Sequence, residues 1–215
     1  MRSRFSLLAG TALIGAVLLA APASAQVVTP PDQRGDGKRG WVDAPAKLPK
    51  PQRGDLTRNI EFLFEALKIA PDAASAKSIE ERIWAVWFVA GGDTANLLMT
   101  RVKTAMEGED SNLALKLLDA VIELKPNYVE AWNRRATIYY TRKDYERSLA
   151  DIRQVLAREP RHFGAIAGLG LIMQDLGEDK RALDMYRRAL AIHPHLPRIP
   201  DLVKTLIEKV EGRPI

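Results

Sequence analysis

The sequence predicts an all-α chain of stacked antiparallel helical hairpins, and three observations point there. Prolines recur every 34 residues, at Pro126, Pro160 and Pro194. Small and apolar residues fall at fixed places in the successive segments 95–128, 129–162 and 163–196: Ala114, Ser148 and Ala182, then Leu115, Leu149 and Leu183, then Val121, Val155 and Ala189. Each segment also divides into two stretches with apolar residues three and four apart, joined by a short polar turn, which is the pattern of paired amphipathic helices. A period of this length marks a repeated supersecondary unit, and such units must stack because none buries its apolar face alone.

The first 25 residues read as a secretion signal. Arg2 and Arg4 precede an apolar run from Phe5 to Ala21, and Ala23-Ser24-Ala25 is a small-x-small cleavage site that places the cut after Ala25. The run is marginal for a bilayer span, so a retained anchor is the alternative. With cleavage the mature chain is periplasmic or secreted and has no membrane insertion. Residues 26–54 hold five prolines and almost no apolar periodicity, as expected of a basic, solvated tether whose one aromatic, Trp41, is read as folding back on the domain, with docking on a partner or an anionic surface as the alternative. The whole +5 charge lies in 1–54, where eight Lys and Arg face three Asp. Residues 55–215 are formally neutral, which removes the main support for a nucleic-acid partner.

Residues 55–92 contain two further amphipathic stretches, Leu56, Ile60, Leu63, Phe64, Leu67 and then Ile79, Ile83, Val86, Trp87. Pro71-Asp72 separates them and Gly91-Gly92 closes them, so the segment reads as a degenerate hairpin that begins the stack. Trp84, Trp87 and Phe88 are expected to pack against 95–128. Three units follow, at 93–128, 129–162 and 163–196. In the middle one, helices over Tyr128–Thr141 and Tyr145–Arg158 flank the turn Arg142-Lys143-Asp144. Small residues let paired helices approach, and the proline ends the second helix because it cannot continue the hydrogen-bond ladder. In 197–215, Leu202, Val203, Leu206, Ile207 and Val210 share one face and Lys204, Glu208, Lys209 and Glu211 the other, giving a polar-backed capping helix and tail.

These units resemble the tetratricopeptide repeat family. Unit 129–162 supplies Trp132, Ala136, Tyr139, Ser148 and Pro160 at the family's pattern positions, and unit 163–196 supplies Gly170, Ala182, Tyr186, Ala189 and Pro194. The first unit departs further, with Val102, Ala105 and Val121 where Gly, Tyr and Ala are usual, and Arg101 and Arg135 replace the usual Leu. The resemblance implies a right-handed α-solenoid whose first helices line a concave groove that holds an extended or helical partner segment. Carried onto this sequence, the groove residues are Met99, Lys103, Met106, Asn133, Arg134, Thr137, Tyr140, Ala167, Leu171 and Gln174. Lys103, Asn133 and Arg134 suit carbonyls or a carboxylate, whereas the methionines, Tyr140, Ala167 and Leu171 suit adaptable apolar contact. The two-carboxylate clamp of chaperone-binding relatives is incomplete here, because the third unit lacks Lys or Arg at the equivalent positions.

Enzymatic constellations are sparse. With no cysteine in the chain, disulfides, thiolate metal sites and a Cys nucleophile are excluded. His162 and the His193-Pro194-His195 run fall at equivalent turns and read as solvated turn residues rather than metal ligands. No strand precedes Gly164, Gly168 and Gly170 and no Lys-Ser/Thr follows them, so they do not form a phosphate loop. Gly170 takes the small position of its repeat, and Gly164 and Gly168 face the groove. Glu80, Glu81, Glu107, Glu109 and Asp110 read as helix-start and turn residues rather than a catalytic pair. The sequence thus predicts no enzyme, no cofactor and no metal. It predicts a protein–protein interaction module of the bacterial cell envelope, an adaptor or assembly factor whose partner is another envelope protein or peptide segment. A structural homo-oligomer with no groove ligand is the alternative.

Overall fold

The computed structural model describes residues 56–212 and the side chains of 60–212. The expected signal (1–25) and tether (26–54) lie outside the described residues, as does the end of the tail. Among the described residues there are nine helices and no strand: α1 Leu56–Lys68, α2 Ala73–Val89, α3 Gly92–Glu107, α4 Ser111–Leu124, α5 Val129–Thr141, α6 Tyr145–Arg158, α7 Phe163–Asp175, α8 Asp179–Ile192 and α9 Ile199–Val210. None is long and apolar enough to cross a membrane.

The pairs α3–α4, α5–α6 and α7–α8 are the three repeat hairpins of an all-α solenoid, and the 34-residue period is written in their backbones too. Glu109, Lys143 and Gly177 hold φ of 58°, 58° and 77°, one left-handed residue in each turn. Directly after the first two, Asp110 and Asp144 accept the amide N–H groups of Leu113 and Arg147 at 2.9 and 3.2 Å, capping α4 and α6. The third turn has glycine at the left-handed position, where that conformation costs least, and Glu178 makes no side-chain cap.

Inside the hairpins, the repeat positions act as spacing predicts. Gly170 lies against the Tyr186 ring, and a Cβ there would sit 2.5 Å from Cε1. Ser148, at an alanine position, is buried and donates its hydroxyl to the Ala136 carbonyl at 2.8 Å, so its polarity is satisfied. Arg135, at a leucine position, is accommodated by charge. Its Nε and Nη2 donate to the two oxygens of Asp151 at 2.8 Å each, and Nη1 donates to Asp119 of α4 at 2.7 Å. The hydrogen bonds it donates to Asp151, and then to Asp119, push the guanidinium still further up from its ordinary value.

Two hydrophobic cores result. One belongs to the first repeat and joins Ala95, Met99, Val102, Ala114, Leu118 and Val121 to Tyr128, Ala131 and Ile138. The other joins the second and third repeats to the N-terminal hairpin, from Leu63, Leu67, Ile83, Trp84 and Trp87 through Phe163, Ile166 and Tyr186 to Leu206. The hairpin at 55–92 is therefore present as α1–α2, but its place differs from that of a first layer in a linear stack. A stacked unit touches only its neighbours, whereas α1 touches α8 and α2 touches both α3 and α5. At the other end α9 lies on α8 with Leu206 buried and Leu202, Val203 and Ile207 half-buried, as a cap should.

Candidate partner-binding surface

The first helices of the hairpins carry the predicted groove residues. On α5, Glu130, Asn133 and Thr137 recur at three- and four-residue spacing and so share one face, as Gly164, Ala167 and Leu171 do on α7. Not all of these residues lie at an open surface. Asn133 and Thr137 are each 2% exposed and Ala167 is fully buried, and Met99, Tyr140 and Leu171 are buried as well. Lys103 is exposed, while Met106, Arg134 and Gln174 are half-buried. Six of the ten are thus buried and four are half-buried or exposed. The physical reason is packing, since Tyr140, Ala167 and Leu171 belong to the core shared with α1–α2, and Met99 to that of the first repeat.

Internal bonds fix several of these side chains. The Thr137 hydroxyl donates to the Asn133 carbonyl at 3.0 Å, and Tyr186 donates its hydroxyl to Gln174 Oε1 at 2.8 Å. Lys103 pairs with Glu107 one turn on at 3.7 Å. Burial first, and then the Asp175 carboxylate, push the Tyr140 phenol well above its ordinary value, so it stays neutral. Glu130 Oε2 and Asn133 Oδ1 are buried without a hydrogen-bond partner among the described residues. An apolar pocket of about 470 Å³ between α7 and α8, lined by Leu169, Met173 and Met185, includes none of the ten predicted residues.

A second constellation lies where α6 meets α7 and where α8 ends, and the sequence reading did not find it. Trp87 stacks on His162 at 4.2 Å between ring centroids and 8° between planes. Trp84 meets His162 and Phe163 edge-on at 5.3 and 5.6 Å. Glu80 accepts the Trp84 indole N–H at 3.0 Å with one oxygen and pairs with His193 Nε2 at 3.1 Å with the other. His162 accepts the Ala165 amide N–H at Nδ1, which leaves Nε2 to carry the proton and donate to Glu130 at 2.9 Å. His195 Nε2 donates to the Ala70 carbonyl at 3.0 Å. Beside them Arg161 holds Glu61 with two bonds, at 2.6 and 2.8 Å, and lies 4.2 Å over the Phe64 ring.

Several expectations change here. His162 and His193 are buried, not solvated, and all three histidines of the chain fasten α1–α2 or the helix beneath it. Glu80 sits in the middle of α2 and is buried, not at a helix start. Trp84 and Trp87 pack on residues 162–163 rather than on 95–128, and only Phe88 joins the first repeat's core. The one local signal was the four-residue step from Glu80 to Trp84, which puts an acid and an indole on the same helical face. Among the described residues no group of three or more His, Asp or Glu is placed to hold a metal.

Comparison with known proteins agrees with this geometry. The family model described as tetratricopeptide repeat matches residues 99–151 and 141–197. A TPR repeat-containing protein of Rhizobium etli is 39% identical over 155 residues, covering 72% of this chain and 76% of that protein. Anaphase-promoting complex subunit 3 of Schizosaccharomyces pombe is 28% identical over 82 residues, which cover 38% of this chain but 12% of that much longer protein. Among solved structures, the TPR domain of Arabidopsis OM64 is similar in fold, with a TM-score of 0.52 at 17% identity, covering 56% of this chain and 99% of that domain.

Proposed function

This chain belongs to the tetratricopeptide repeat family, whose arrays are protein–protein interaction modules, and on that premise we propose that it binds a segment of another protein of the bacterial cell envelope along its concave face. In this reading it acts as an adaptor or assembly factor without chemistry of its own. The signal-like residues 1–25 would export it, and the Pro-rich residues 26–54 would widen its reach.

The observation that carries the reading is the rim of the groove. Lys103, Met106, Arg134 and Gln174 stay accessible on three successive first helices, above a floor closed by buried side chains. A cationic, methionine-bearing rim suits a segment with carboxylate or carbonyl acceptors beside flexible apolar side chains. The test is capture from the native envelope fraction with the chain from Gln26 onward, beside a Lys103→Ala, Arg134→Ala variant of equal helicity. Loss of one retained envelope protein in the variant supports the groove. Equal capture by both proteins removes it.

A further inference from the structure

Helices α2 and α3 are separated by a single unusual residue. Ala90 has φ −57° and ψ −20°, and Gly91 has φ −70° and ψ −26°, both right-handed helical values. Gly92 alone breaks the run, at φ 75°. A Cβ on Gly92 would meet nothing within 4 Å, so its backbone conformation, and not space, is what calls for glycine. Returning this one residue to the right-handed region would join the 17 residues of α2 to the 16 of α3 in one rod.

Hydrogen bonding fits the same two arrangements. In a continuous helix the Phe88 carbonyl would accept the amide N–H of Gly92, four residues on. Here it accepts the Tyr128 hydroxyl at 2.9 Å, and the Tyr128 ring fills the space beside Gly91, where a Cβ would lie 2.6 Å from Cε1. Tyr128 therefore stands in for the missing helical donor and holds the bent form.

What the hairpin leaves behind decides where it goes. Its apolar face belongs to the core of the second and third repeats, while α3 belongs to the other core. Straightening at Gly92 thus moves α1–α2 away as a unit and leaves most of the first repeat's packing in place. It would expose Trp84, Trp87 and Glu80 on one side and His162, Phe163 and His193 on the other, large apolar and polar surfaces that are complementary to each other. The one occupant already known to fit that edge is this hairpin, and a second copy carries it. We propose that the chain dimerises by exchanging α1–α2 hairpins across the His162–Phe163–His193 edge, with Gly92 as the hinge. Exchange recreates between chains the contacts of α1–α2 with the second and third repeats and gives up only the bent link at Gly91-Gly92 with its Tyr128 bond, which makes it a low-cost route to a dimer. It needs no ligand in the concave groove.

Glu61 and Arg161, which touch across this contact, are both partly exposed, and the chain has no cysteine of its own. Full-length Glu61→Cys and Arg161→Cys proteins are therefore mixed, warmed together and treated with a short bis-maleimide. Exchange yields a covalent heterodimer above the self-linked background. Gly92→Ala in both proteins raises it about tenfold or more, because alanine disfavours the left-handed hinge and favours the helix. Tyr128→Phe, which keeps the ring and removes the stand-in donor, shifts it the same way. Lys103→Ala, Arg134→Ala leaves it unchanged, which separates exchange from dimerisation through the groove.

The proposal is overturned if no heterodimer forms while the double variant Glu61→Cys, Arg161→Cys links within one chain. A heterodimer insensitive to both Gly92→Ala and Tyr128→Phe overturns it equally. If Gly92→Ala loses its helical circular dichroism, the glycine-hinged mixture and its Tyr128→Phe version decide by the same criteria.

Discussion

A methyl group added at Gly170 would lie 2.5 Å from Tyr186, whose hydroxyl is tied to Gln174 at the far end of the ring. The ring cannot swing away without breaking that bond. Gly170→Ala gains about 1 kcal/mol of helix propensity, but overpacking a closed contact costs about 1–3 kcal/mol, so the net effect is destabilising. Urea denaturation should show a lower midpoint with an unchanged slope, and a midpoint equal to wild type would mean the ring yields freely. Arg135 poses the opposite problem, a charge in place of a leucine. Asp151 is nearly buried and holds it with two bonds, so Asp151→Ala leaves the half-buried guanidinium with the Asp119 carboxylate and the Trp132 ring it lies over. The loss should be about 2–4 kcal/mol, near the lower end of that for breaking buried pairs because Arg135 is partly solvated. A loss under about 1 kcal/mol, the scale of surface pairs, would show that water replaces Asp151. The role of Gly170 was legible in the sequence because its repeat position asks for a small residue. That of Arg135 was not, because Asp119 and Asp151 stand 16 residues away on either side and meet it only when helices stack.

At the scale of elements, α1–α2 is fastened to the array partly through an ion pair whose titration has a defined sign. The hydrogen bond from Arg161 holds the Glu61 carboxyl below its ordinary value. A depressed folded-state value means the contact contributes fully above the unfolded value of about 4.3 and is lost as pH falls through the lower folded value. Asp72, which caps α2 by accepting the Ser75 amide N–H, is lowered in the same direction by that bond. Acid below about pH 4 should therefore loosen the hairpin, and Trp84 and Trp87 report it by fluorescence as they leave the core. Glu61→Gln should weaken this acid limb, and an identical limb in the variant would assign it to other carboxylates. That a hairpin forms here was legible: the periodic stretches in 55–92 become α1 and α2, divided at Pro71-Asp72. Where it docks was not. An apolar stripe identifies the face that must be buried but not its partner, and the pairs that settle the matter, Glu61 with Arg161 and Glu80 with His193, span 100 and 113 residues.

For the whole molecule, these long-range ties change how the array should come apart. In an open solenoid, stability is close to a sum over neighbouring units, so the ends fray first and the middle last. Here the N-terminal hairpin shares its core with the third repeat, and α1 touches α8, so the first and last parts of the described chain are closed onto each other. Trp84 is the test of that closure because it is fully buried, meets both His162 and Phe163, and donates to Glu80. Trp84→Ala should cost about 3–5 kcal/mol from the cavity alone, and it also leaves a buried carboxylate oxygen without its donor. If closure couples the parts, hydrogen exchange will show α2 and α7 losing protection together, while α4, whose contacts lie in the other core, keeps most of its own. If α2 alone becomes exchangeable, the hairpin is an appendage on a solenoid that is stable without it. The distinction bears on the proposed binding, because Tyr140, Ala167 and Leu171 of the proposed groove share the core that Trp84 helps to fill. In a coupled molecule, whatever moves the hairpin also moves the groove.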